Sequence, residues 1–506
     1  MPVKLSALPF RPHALVLALA LASGAASAAT LTVSGSCTLL NAIHNANTDT
    51  DTDGTGGCSA GNGADIIKLK ANSVYTLSSP DNYADGEGEN ALPSITSTIT
   101  LNGNGATLQR ANTADTPDFR FLHIAANGNL TLDKLTLRNG NLDGDYLYGG
   151  AILNHGTLTI SNSQIDQNQV DNGGGIANLG GTLALSNSRI TANRAAVGGG
   201  IITVNGTTAL VDSSVSGNKA FIAGGMMNDH ATVSLSNSTL SGNTANDGGG
   251  LSNQQATVTL SNSTISGNKA QQNGGIGNLA STLTASHNTI AKNQGGGLNN
   301  QATAILTNNL IAGNSNGDCL NSGAVILKGS NWIEDGSCNA TLSGNINLDA
   351  LLDNGGVTAT HAIYPHKMVK PTSSALCPAT DQRHVSRPQT SDKRCDIGAI
   401  EQIRFIPAPV TDIMQIFQGL LASGNLRPTL STNLGMQQLN ALMNQFLVAG
   451  DLRAHHQKPL ACSQLQRSAA RIDPDHSPEA DDYATGDQAV VLLTAINDLH
   501  STWKCP

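Results

Sequence analysis

Aromatic side chains are nearly absent from this chain, at 3% of 506 residues, and charged residues make up only 12%. An ordinary soluble domain carries about 25% charged residues. The shortage of aromatics argues against a propeller, and the lack of a long helix-forming half in its repeats argues against a leucine-rich solenoid. The chain has no cluster of basic residues and its formal charge is −9, so nucleic acid and anionic membrane surfaces are not expected partners. No stretch approaches the ~20 apolar residues that a membrane-spanning helix needs. The Walker loop, the GxSxG elbow, HExxH and the dinucleotide fingerprint are also missing, so no cofactor is expected from motif.

Gly, Asn, Ser and Thr fill the place of the missing residues, and they are arranged in a repeat. The phrase SNSQIDQN at 161–168 returns as SNSRITAN, DSSVSGN, SNSTLSGN, SNSTISGN, SHNTIAKN and TNNLIAGN, closing on Asn168, Asn193, Asn218, Asn243, Asn268, Asn293 and Asn314. A glycine phrase (GGGIAN at 173–178 and its copies) interleaves with it. In the 25-residue register, mostly aliphatic columns run through Leu158, Leu183, Thr208, Val233, Val258 and Leu283, and through Ile160, Leu185, Leu210, Leu235, Leu260 and Ala285. Further columns run through Ile165, Ile190, Val215, Leu240 and Ile265, and through Ile176, Ile201, Met226 and Leu251. The spacing of two between the first pair of columns is strand periodicity. Three short apolar segments per repeat then give three parallel strands per coil. One coil cannot bury its own inward residues, so copies must stack. The predicted fold class is all-β, a right-handed parallel β-helix of about 25 residues per coil, followed by a small α-helical domain.

The predicted division places a signal peptide at 1–28, an N-terminal cap at 29–93, the β-helix at 94–345, its closing segment at 346–401 and the helical domain at 402–506. Lys4 and Arg11, the apolar run from Ala14 to Ala22 and the small residues ending at Ala28 form the signal pattern. Export implies an oxidising compartment, hence disulfides among the eight cysteines. These fall into four sequence-local couples, 37–58, 319–338, 377–395 and 462–505, which is the expected pairing. Thr38 to Ala46 has the character of a short amphipathic helix able to cover the open end of the core. After Glu401, apolar residues fall at helical spacing, as in Ile413, Ile416, Phe417 and Leu420, or Leu439, Leu442, Met443 and Phe446.

Several of these phrases resemble known families. The GG-I phrases are similar to repeats of chlamydial polymorphic outer-membrane proteins. CTLLNAIHNAN (37–47) with GADIIKL (63–69) resembles the CSLREA-type domain. LLDNGGVTATHAIYP (351–365), CPATDQRHVSRP (377–388) and CDIGAIE (395–401) resemble the closing segment of choice-of-anchor Q proteins. The resemblance implies a surface or secreted β-helix protein.

Candidate sites are few. Arg194, Lys219, Thr244 and Lys269 share the position after the closing Asn, and three like charges stacked by coils would suit an acidic glycan; solvated loop charges are the competing account. Asp49, Asp51 and Asp53 begin a DxDxDG calcium-loop pattern, but the twelfth position is Ala60, which leaves the ligand set incomplete. No catalytic residue is assigned. The coil acids Asp166, Asp171, Asp212, Asp229 and Asp247 never share a column in adjacent coils, and the best acid–histidine couple is Asp229–His230. His155, His230 and His287 occupy different repeat phases and are expected to form no ligand set. The expected function is non-catalytic binding to a polysaccharide or cell-surface partner. A polysaccharide lyase or glycoside hydrolase and a structural stalk are the alternatives.

Overall fold

The computed structural model describes residues 28–51, 57–83, 86–144, 146–363, 376–389, 393–403, 406–474, 479 and 481–506. Residues 1–27 of the expected signal segment and Asp53 lie outside them. The chain is a parallel β-helix of about nine coils with 25 residues per turn, followed by a small helical region. Each regular coil has three strands, for example Thr157–Ser161, Gln164–Asp166 and Ile176–Leu179. Their next copies pair in parallel at an offset of 25, Leu158 with Leu183, Ile165 with Ile190 and Ile176 with Ile201. The third strands build a nine-stranded sheet. The predicted columns therefore stack in the predicted register. Their side chains share one buried core that runs from Leu31 to Ile333.

The closing asparagines sit inside. Each side-chain Nδ2 donates to Oδ1 of the next, at 2.8–3.0 Å from Asn168 through Asn314. It also donates to a backbone carbonyl of the preceding coil, as Asn218 does to Ile190. The Oδ1 of Asn218 also accepts the backbone N–H of Asn193. An amide has both donors and acceptors, so one residue type can continue this chain indefinitely. Asp318 ends it by accepting from the side chain of Asn314. The left-handed turns fall elsewhere, on the middle residue of the SNS phrase (Asn162, Asn187, Asn237) and on the residue before the closing Asn (Ala192, Gly217, Gly242). At Gly199 a Cβ would lie 2.5 Å from the Gly224 carbonyl oxygen, which explains the invariant small residue at that bend. One column breaks its type: buried Thr208 replaces an aliphatic residue. Its hydroxyl bonds that of Thr203 at 2.8 Å, and Thr203 itself stands in a second Asn column.

At the N-terminal end, helix α1 (Leu39–Thr48) is capped by Thr38, which accepts the Asn41 N–H. It adds Leu39, Ala42, Ile43 and Ala46 to the coil core, covering it as a cap must. The described parts of the closing segment, 348–363, 376–389 and 393–401, lie against the outer face of the coils. Thr239 and Thr358 hydroxyls bond the Ala359 and Asn237 carbonyls, and the Thr264 hydroxyl donates to Gln382. The Ala399 N–H donates to Thr289. Helices α2 (Thr411–Ala422), α3 (Asn433–Ala454), α4 (Lys458–Ala469) and α5 (Ala489–Thr502) form a second core, which includes Val385 of that segment. The four disulfides are Cys37–Cys58, Cys319–Cys338, Cys377–Cys395 and Cys462–Cys505, as the local couples predict. Among the described residues no helix is long and apolar enough to cross a membrane.

Candidate functional site

The position after the closing Asn points outward because the Asn itself points inward. Gln169, Arg194, Lys219, Thr244, Lys269 and Gln294 follow one another in a single parallel ladder. Arg194, Lys219 and Lys269 are exposed, and none makes a salt bridge among the described residues. The residues that follow the lysines, Ala220 and Ala270, are buried, so the column stands at the rim of a packed turn. Two residues from Lys219 lies Phe221, 62% exposed in a chain with very few aromatics. Sequence reading did not single it out, although it is the lone aromatic in the regular turns between Asn168 and Asn314.

The calcium-loop candidates are placed differently. Asp49 ends α1 with a left-handed backbone (φ 54°), and its carboxylate accepts the Gly63 N–H at 2.8 Å. Asp51 is exposed, and Asp53 is outside the described residues.

The coil acids each have a separate partner. Asp166 pairs with Arg138 at 3.3 Å, Asp212 with His384 at 2.8 Å and Asp229 with His230 at 2.8 Å. Asp171 accepts the Tyr146 N–H, and Asp247 accepts from the Asn273 amide. This arrangement is not that of two carboxylates facing one sugar bond. His287 is buried between Ser286 and Asn308, and burial, with Arg387 nearby, pushes its pKa down to about 2. It therefore serves the packing of the closing segment. In the same region buried Asp381 pairs with Arg383 at 2.8 Å. Glu401 faces Arg387 at 3.9 Å, and burial pushes the Glu401 carboxyl up to about 7.

His155 meets neither His230 nor His287, but it does meet His123, which the sequence reading left aside, and Glu87. His155 Nε2 lies 3.1 and 3.0 Å from the two carboxylate oxygens of Glu87, and His123 Nε2 lies 3.9 Å from Oε2. The two imidazoles meet edge to face at 5.6 Å. His123 lies on the strand Leu122–Ile124, whose neighbour Ile152–Asn154 leads directly into His155. Pairing of Ile124 with Asn154 puts His155 opposite Ala125, two residues beyond His123 and hence on the same face.

A groove of about 520 Å³ lies on the outer face of the second strands, ahead of the closing segment; Lys134, Gln164 and Arg189 are among its lining residues.

No family model matches this chain, and no curated protein matches it. Among solved structures it is similar to pectate lyase Pel9A, at 16% identity over 67% of this chain and 88% of that one, with a TM-score of 0.39. The fold itself, read from strand pairing and register, is a parallel β-solenoid.

Proposed function

We propose that this protein is an exported binding protein that holds acidic polysaccharide against the side of its β-helix, without cleaving it. The observation that carries this reading is the ladder of exposed Arg194, Lys219 and Lys269, with half-buried Thr244 between the lysines. Successive coils stand about 4.8 Å apart, so the three cations repeat along an axis parallel to the stack. A polyanion with regularly spaced carboxylates or sulfates would find several of them at once. Gln169, Thr244 and Gln294 add neutral hydrogen-bonding groups on the same ladder, and Phe221 offers a ring face beside it. Four disulfides suit the oxidising compartment that export would provide.

A panel of acidic and neutral polysaccharides, scored for retention and for new reducing or unsaturated ends, tests the reading. Retention of acidic chains without new ends is expected. Equal retention of neutral chains, or shortening of any chain, would contradict it; shortening would favour a lyase or hydrolase.

A further inference from the structure

We infer that Glu87, His123 and His155 form a binding site for one divalent transition-metal ion of the Zn²⁺ class, tying the N-terminal cap to the first coils. This site is independent of the proposed polysaccharide ladder.

The ligand atoms converge: one from each residue lies within 4.8 Å of the other two. A tetrahedral ion with bonds of about 2.0–2.2 Å spaces its ligand atoms by roughly 3.3–3.6 Å. The distances from Glu87 to His155 (3.0 Å) and to His123 (3.9 Å) bracket that spacing. Imidazole nitrogen with carboxylate oxygen is a donor set that suits zinc and its neighbours.

The outer partners of the histidines favour the same reading. His155 Nδ1 lies 3.1 Å from the Leu179 carbonyl oxygen, which can only accept, so Nδ1 carries a proton. Its Nε2 then faces the Glu87 carboxylate at 3.0–3.1 Å, aimed at the point where the ion would sit. His123 Nδ1 is likewise held by the Ser94 hydroxyl at 2.9 Å, which turns Nε2 toward the same carboxylate. A backbone carbonyl or hydroxyl on the far nitrogen is the usual means of orienting a metal-bound histidine.

The third ligand is positioned by a buried group. Glu87 lies between the strands Asn82–Tyr83 and Glu89–Asn90. The fully buried Arg120 donates to the Glu87 backbone carbonyl, to Asn90 Oδ1 at 2.7 Å and to the Tyr148 carbonyl at 3.2 Å. Arg120 thus fixes the residue through its backbone, and the carboxylate remains directed at the two histidines. All three ligand side chains are partly exposed, which leaves room for a water ligand in the fourth position.

The test uses the full chain, stripped with chelator and titrated with ZnCl₂ at pH 7.5 by calorimetry, with Co²⁺ absorption as a second readout. We expect one ion per chain and a four- or five-coordinate Co²⁺ spectrum. His123→Ala with His155→Ala should weaken binding at least ~100-fold, and Glu87→Gln by about 10–100-fold. Thermal melts in chelator check that each variant is folded. Zn²⁺ should raise the melting temperature of the parent and leave the double variant unchanged. If the parent takes up no ion, or if the double variant binds as the parent does, the site is a protonated histidine–carboxylate pair or a packing contact, and the inference fails.

Discussion

The closing asparagines are the residues on which the stack most depends. The Asn218 side chain makes four hydrogen bonds with buried partners, donating to Ile190 and Asn243 and accepting the backbone and side-chain N–H groups of Asn193. Asn218→Ala removes all four bonds; Asn243 Oδ1 keeps the backbone N–H of residue 218 and Asn193 Nδ2 keeps the Ile165 carbonyl, and each buried group that is left stranded costs about 1–3 kcal/mol. A loss of roughly 3–5 kcal/mol in urea unfolding is expected, and a loss below about 1 kcal/mol would show that the ladder is incidental. Ala192 makes the opposite case. It holds φ at 55° where the next coils have Gly217 and Gly242. Ala192→Gly should stabilise by up to about 1 kcal/mol, because a side chain in the left-handed region costs about that much. A destabilising result would mean that the Ala192 methyl contributes more by contact than it costs by strain.

The closing segment is the element whose hold on the coils responds to pH. His384, from this segment, is hydrogen-bonded to Asp212 of the coils. That bond raises its pKa above the usual 6.5, burial opposes it, and the charges of Asp212 and Asp381 add to the rise. The folded state therefore binds this proton more tightly than the unfolded chain. The stabilisation is complete below the ordinary histidine value and is lost as pH rises through the raised one. Melting of the parent should exceed that of Asp212→Asn by more at pH 6 than at pH 9; an equal gap at both would place the coupling elsewhere. The coils themselves were legible in the sequence, because Leu235 and its copies recur at 25 residues and alternate every two. The side placement of the closing segment was not. It rests on single polar contacts such as Thr239 with Ala359, at 120 residues' separation, in a stretch without a repeat. The Glu87–His123–His155 assembly escaped for a related reason: Leu122 pairs with Ile152 at an offset of 30, outside the regular period. The cationic ladder was visible because it obeys that period.

Across the whole molecule one core joins the N-terminal cap to the last coils, so a single fault in it should be global. Leu235 is buried between Leu210 and Leu260 in the stack. Leu235→Asp puts an unpaired charge there, at a cost of several kcal/mol, and should abolish soluble protein; normal yield with unchanged circular dichroism would contradict the register. The polysaccharide reading, by contrast, concerns the surface alone. Its most direct test is retention of acidic polysaccharide as salt is raised, comparing the parent with the triple variant Arg194→Ser, Lys219→Ser, Lys269→Ser. Retention by the parent should fall sharply above ~0.1 M salt, where charges are screened beyond about 10 Å. The triple variant should fail to retain the chain even at low salt while melting within about 0.5 kcal/mol of the parent. A folded triple variant that retains acidic polysaccharide as well as the parent would contradict the account.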